Sequence, residues 1–206
     1  MKRTVFLRFL IIFLPLRGLV GFLHAQTTPE IETRVQIGHT DMITQVLLLP
    51  DAKTFLSASQ DKRVKHWDIA SGKEIHTFTG HTDLVSHILL LPDHSSFLSA
   101  SWDNTIKLWD IATGKEIHTF TGHTDLITQI LLLPDKQSFL SASDDQSVKH
   151  WNLSTGKEIQ TFAGASAPIL LLPDGQSFWV PARTRPSTTG TSPQARKFRL
   201  LPDILI

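Results

Sequence analysis

Gly38-His39-Thr40-Asp41 recurs as Gly80-His81-Thr82-Asp83 and as Gly122-His123-Thr124-Asp125, 42 residues apart each time. Aligned without gaps, residues 38–79 and 80–121 agree at 28 of 42 positions, and residues 80–121 and 122–163 at 27. Chance does not produce that agreement. The chain is therefore built from one repeated supersecondary unit, which buries its apolar faces by stacking on its neighbours. In the first unit, Met42–Leu49 is an apolar run closed by Pro50-Asp51. Thr54–Ser59 reads as a second strand, with Asp61 in a tight turn behind it. Val64–Ile69 reads as a third, ended by Ser71-Gly72, and Glu74–Thr79 as a fourth. Short apolar runs split by Pro-Asp, Asp and Ser-Gly predict four antiparallel strands per unit. No segment between turns is long enough for two helices, which excludes a helical solenoid.

This pattern resembles the WD-repeat β-propeller family. The likeness rests on Gly-His near the start, Leu-Ser-Ala-Ser and Asp in the middle, and Trp67-Asp68 and Trp109-Asp110 near the end. Trp151-Asn152 is a mild departure. The likeness covers residues 38–163 and extends to Ile31–Ile37, which would supply a strand ahead of the first Gly-His. It implies an all-β fold of propeller blades over residues 31–180, each blade of four antiparallel strands. The repeats are 38–79, 80–121 and 122–163, with a degenerate one at 164–189.

The resemblance also implies a role for the recurring polar residues. His39, Ser57, Asp61 and Trp67 return as His81, Ser99, Asp103 and Trp109, and as His123, Ser141, Asp145 and Trp151. In each set the Trp N–H would donate to Ser, Ser to His, and His to Asp. Such a structural tetrad ties strands to a loop. A hydrolase triad needs one constellation in one pocket, whereas here the same set occurs in every unit. No catalytic residue is expected. His66, His76, His118 and His150 recur because the repeat recurs, with no metal-ligand spacing among them. No Gly-rich phosphate loop follows a strand. Neither a cofactor nor a metal is expected.

Beyond Gly164 the motif decays. Gly-His becomes Gly164-Ala165, and Ile169–Asp174 brings the first strand back three residues early. Ser177–Val180 matches a second strand. Residues 181–195 read as a loop or linker, within a degenerate basic tail at 181–206. Leu200–Asp203 echoes a first strand again, so a fifth unit reads as stopping after its first strand. The fourth unit thus reads as having lost its third and fourth strands. Propellers typically close at about 4–8 blades. Three outcomes follow: a strained four-bladed ring, a homodimer sharing one ring, or an open arc of about 3.5 blades. The open arc is the expectation for an isolated chain.

The net charge of +1 is a sum of unlike parts: +4 over residues 1–25, −7 over 26–180 and +4 over 181–206. The acidic body argues against nucleic acid as a partner. The absence of Cys excludes disulfides, thiolate zinc sites and a Cys nucleophile. Residues 1–25 run from basic Lys2-Arg3 through an apolar stretch to small Ala25, the order of a signal peptide. Export to the periplasm or outside is the expectation. Arg8, Arg17 and Pro15 make the alternative, an uncleaved membrane anchor, a poor span.

Positions that vary between units carry what remains. Beside the turn Asp stand Gln60, Lys62 and Arg63, then Trp102 and Asn104, then Asp144 and Gln146. In the resembled family this turn shares a face with the Gly-His loops, and that face commonly binds partners. Trp102 stands out, because a partly exposed Trp is a common interface anchor. The expected function is a non-catalytic scaffold for a protein or peptide partner. The alternatives are an extracytoplasmic propeller enzyme or ligand-binding protein, and a non-functional truncated paralogue.

Overall fold

The computed structural model describes residues 38–165, 167–180 and 196–200. The expected four-strand unit occurs three times as an antiparallel meander. The first sheet holds β1 (Ile43–Leu48), β2 (Thr54–Ser59), β3 (Val64–Asp68) and β4 (Glu74–Phe78). The second holds β5 (Val85–Leu90), β6 (Ser96–Ser101), β7 (Ile106–Asp110) and β8 (Glu116–Phe120). The third holds β9 (Ile127–Leu132), β10 (Ser138–Ser143), β11 (Ser147–Asn152) and β12 (Glu158–Ala163). No helix occurs among the described residues.

The turn residues act through side-chain hydrogen bonds to local backbone. Asp51 Oδ1 accepts from the Lys53 and Thr54 amides at 2.8 and 3.0 Å, reversing the chain between β1 and β2. Asp93, Asp135 and Asp174 repeat the device. Asp68 Oδ1 accepts from the Ser71 amide at 2.7 Å, and Asn152 Oδ1 from the Thr155 amide at 2.8 Å. An amide oxygen serves as well as a carboxylate here, so the Trp-Asn departure leaves the turn intact. Gly156 has a positive φ of 70°, and a Cβ there would stand 1.8 Å from the His118 ring. Only glycine lets the outer strand's histidine lie over the next unit's turn.

Both faces of each inner sheet are apolar because each is covered by a neighbour. Leu49, Leu56, Ala58, Val64 and Phe78 of the first sheet form one buried cluster with Val85, Ile88, Phe97, Trp109 and Ile111 of the second. The same positions build the next two clusters. The architecture is an incomplete propeller, as expected.

The fourth sheet corrects the reading of its own unit. β13 (Leu170–Leu171) and β14 (Ser177–Val180) are joined by a third strand, β15 (Arg196–Arg199). Phe178 pairs with Phe198 in the register that pairs Phe139 with Trp151. Phe198 therefore stands in the tryptophan position. Leu200 does not open a fifth unit. Its amide donates to Gln176 O at 2.8 Å, as Leu153 donates to Gln137 O, and its side chain is buried with Val180.

Candidate functional site

Three sets of side chains recur at corresponding places in the three complete blades. The first is the polar relay. In the first blade, His39 Nδ1 lies 2.8 Å from Asp61 Oδ2 and Nε2 lies 2.7 Å from Ser57 Oγ; Trp67 Nε1 donates to Ser57 Oγ at 2.7 Å. The second blade repeats this with His81, Asp103, Ser99 and Trp109 at 2.8, 2.7 and 2.8 Å. The third does so with His123, Asp145, Ser141 and Trp151 at 2.7, 2.7 and 2.8 Å.

Donor chemistry fixes the direction. A carboxylate only accepts, so Nδ1–H donates to Asp, and Nε2 then accepts from the Ser hydroxyl. The hydroxyl oxygen takes the indole N–H. Burial pushes the three Asp carboxyls up. Hydrogen bonds from backbone amides, neighbouring hydroxyls and the imidazole outweigh it and hold them below the usual carboxylate range. Burial pushes His123 down, favouring the neutral ring this relay uses. All three Ser residues are buried, with the hydroxyl engaged on both sides. A nucleophile needs a free path to substrate, and these Ser side chains have none.

A second repeated network was absent from the sequence argument. Ser59 Oγ donates to Asp41 O at 3.2 Å and accepts the Asp61 amide at 3.1 Å. Ser101 and Ser143 do the same. This locks the Gly-His-Thr-Asp loop to the end of the second strand. A third set links Lys107 Nζ to Glu116 and Thr119 at 2.8 and 2.9 Å, with equivalents at Lys65 and Lys149. The signal for both was available: Ser and Lys recur at fixed positions in every unit.

The variable positions sit on the turns that these networks hold. Backbone bonds from Gln60, Trp102 and Asp144 amides to Met42, Leu84 and Leu126 carbonyls pin each turn to its first strand at 2.9–3.0 Å. Lys62, Asn104 and Gln146 occupy the left-handed position, with φ of 72°, 68° and 65°. Lys62, Arg63, Trp102 and Gln146 are exposed, whereas Gln60, Asn104 and Asp144 are half-buried. One rigid turn design thus presents a cationic pair, an aromatic and an amide on successive blades. Among the described residues, no group of three or more His, Asp or Glu converges as metal ligands would.

A family model described as "WD domain, G-beta repeat" matches residues 31–68, 72–110 and 114–152. Curated relatives match a shorter stretch. "Ribosome biogenesis protein BOP1 homolog" of Drosophila melanogaster is 42% identical over 52 residues, which is 25% of this chain and 7% of that protein. The protein of the same name from Drosophila ananassae is 44% identical over 52 residues, with the same coverage. The chain thus spans about 7% of the length of these relatives.

These matches correct the expectation of export. The relatives are named for ribosome biogenesis, which is not the name of a periplasmic, secreted or membrane-anchored protein. The basic-apolar order of residues 1–25, on which that expectation rested, lies outside the described residues.

Proposed function

We propose, because this chain belongs to the WD-repeat family, that it is a non-catalytic scaffold whose blade turns dock a protein partner. The relatives' name points further, to an assembly of the ribosome-biogenesis type. The observation that carries the reading is the contrast within each unit. The buried relay is kept alike in three blades, while the turn it braces bears different exposed residues on each blade. A scaffold needs a constant frame and a variable surface.

Lys62, Arg63, Trp102 and Gln146 are the proposed contacts. Trp102 is the anchor, being a large amphipathic side chain held on a pinned backbone. The cationic pair suits an acidic segment of the partner. The relay is assigned to stability in this reading, through satisfaction of buried polar groups.

The test places a photo-crosslinking residue at Gln146, on the turn of the blade after that of Trp102, and at Ile75 on the outer strand as a control, in cells of the source organism. Crosslinks to one set of pre-ribosomal proteins from position 146, lost in a Trp102→Ala background and absent from position 75, are the expected result. Equal crosslinking from both positions would overturn the assignment of this face.

A further inference from the structure

The two ends of the row of blades differ from its interior. At each internal interface the later blade turns a fixed set of side chains toward the earlier one. In the second blade these are Val85, Ile88, Phe97, Trp109 and Ile111, all buried. The first blade carries the same kinds of residue at the equivalent positions: Ile43, Val46, Phe55, Trp67 and Ile69. Yet Ile43, Val46 and Ile69 are 54%, 57% and 48% exposed, and Leu48 is 58% exposed.

A cleft of about 300 Å³ opens on that face, lined by Ile43, Phe55, Trp67 and Ile69. Inside the row the same space is filled by an aromatic ring from the preceding blade. Phe78 meets Phe97 and Trp109 at 4.8 and 5.7 Å. Phe120 meets Phe139 and Trp151 at 5.0 and 5.9 Å.

The far end shows the other half of the interface. Leu170 pairs with Trp179 in the register that pairs Leu131 with Leu140. Leu131 and Leu140 pack onto the fourth blade. Leu170 and Trp179 stand at the equivalent positions, 62% and 38% exposed. Among the described residues the fourth sheet has three strands, and none of them is the fourth strand that carries Phe78 or Phe120 in the other blades. An aromatic stands instead at the position where the other blades have Leu56, Leu98 and Leu140.

We propose that the open face of the first blade receives the open face of the fourth blade of a second copy, and the reverse, so that two copies share one ring. The occupant follows from the residues. The two faces are the halves of an interface that this chain already makes three times between its own blades. Exposed apolar patches of this kind mark association surfaces. Two copies of the four described blades supply eight, within the range of about 4–8 at which propellers close. One two-fold axis satisfies both joints at once, which makes the assembly closed rather than filamentous.

Light scattering on the eluting full-length chain tests this without any variant. A mass of twice 23.1 kDa is expected. The mass of a single chain, or a ladder of higher masses, would overturn closure by two copies. Val46→Asp spoils the leading face and Trp179→Asp the trailing face, and each alone is expected to give the single-chain mass. Mixed in equal amounts, they retain one intact leading face and one intact trailing face, so a mass of two chains returns. A mixture that stays at one chain, beside a dimeric parent, would overturn the head-to-tail arrangement. Ile43→Glu and Leu170→Glu form a second pair, used if circular dichroism shows that either first variant has lost its strands.

Discussion

Phe120 meets Phe139 edge-on, with ring centroids 5.0 Å apart and planes at 90°. Both rings are buried, although they belong to different blades. Phe78 meets Phe97 and Phe162 meets Phe178 in the same way, at 4.8 and 4.9 Å. One ring from the last strand of each complete blade thus plugs into the next blade. Cutting Phe120 to Ala removes transfer free energy and leaves a cavity at the joint. The expected loss is about 3–5 kcal/mol. Urea unfolding should show it as a lower midpoint with an unchanged slope. A loss under about 1 kcal/mol would mean that the site collapses on the cavity.

The buried relay gives a second outcome. Ser141→Ala removes the acceptor of the Trp151 N–H and the donor to His123 Nε2 at one stroke. Leaving those groups unpaired costs about 1–3 kcal/mol. The fourth blade shows another solution. Ala165, Val180 and Phe198 occupy the His, Ser and Trp positions, and Ala165 and Val180 are buried. The triple variant His123→Ala, Ser141→Val, Trp151→Phe imitates it. Its loss is expected to fall well short of the sum of the three single losses, since the indole N–H, the hydroxyl and the imidazole go together and Asp145 keeps its bonds from the Thr124 and Ser147 amides. Additive losses would show that the three groups do not act as one network.

That fourth blade also marks where the sequence stopped being legible. The three full repeats could be read because turn, relay and apolar positions all recur at one period. In the last unit the His, Ser and Trp positions of the relay change together, to Ala165, Val180 and Phe198. A search keyed to Gly-His, Ser and Trp-Asp has nothing left to find. Fifteen residues also separate β14 from β15. β15 itself, Arg196-Lys197-Phe198-Arg199, reads as a basic tail because only Phe198 points to a core. The register with Ser177–Val180, a long-range property, is what identifies it as a strand. The proposed contact positions were legible as variable sites beside Asp61, Asp103 and Asp145. Which of them are exposed depends on how each turn packs, and Asn104 is half-buried where Lys62 and Gln146 are exposed.

Acid should act on the relay through its carboxylates. Asp61, Asp103 and Asp145 all titrate below the ordinary 3.8 of an unfolded chain. Between the folded and unfolded values the unfolded chain binds more protons, so stability rises with pH there. Their contribution is complete above the unfolded value and is lost as pH falls through the folded ones. Asp103→Asn removes one such group. Urea midpoints taken from pH 5 to pH 2 should therefore fall less steeply in the variant than in the parent. Parallel curves would show that Asp103 takes no part in acid unfolding.

His66 offers the opposite experiment, a substitution that should stabilise. Both its ring nitrogens are buried without a hydrogen-bond partner, while the second blade has Leu108 at the equivalent position. Burial first, then repulsion from His76 across β3 and β4, pushes its pKa below 6.5, with Asp51 opposing weakly. Here too the unfolded chain binds more protons between the two values. Stability is lost as pH falls from about 6.5, the unfolded value, through the folded one. His66→Leu removes the unsatisfied polar atoms and the titration together. The expected gain is about 1 kcal/mol at pH 7. It should be larger at pH 5, where the parent carries the added cost of protonation. Urea unfolding at both pH values measures it. A variant less stable than the parent at pH 5 would show that a partner pays for this imidazole in the folded state.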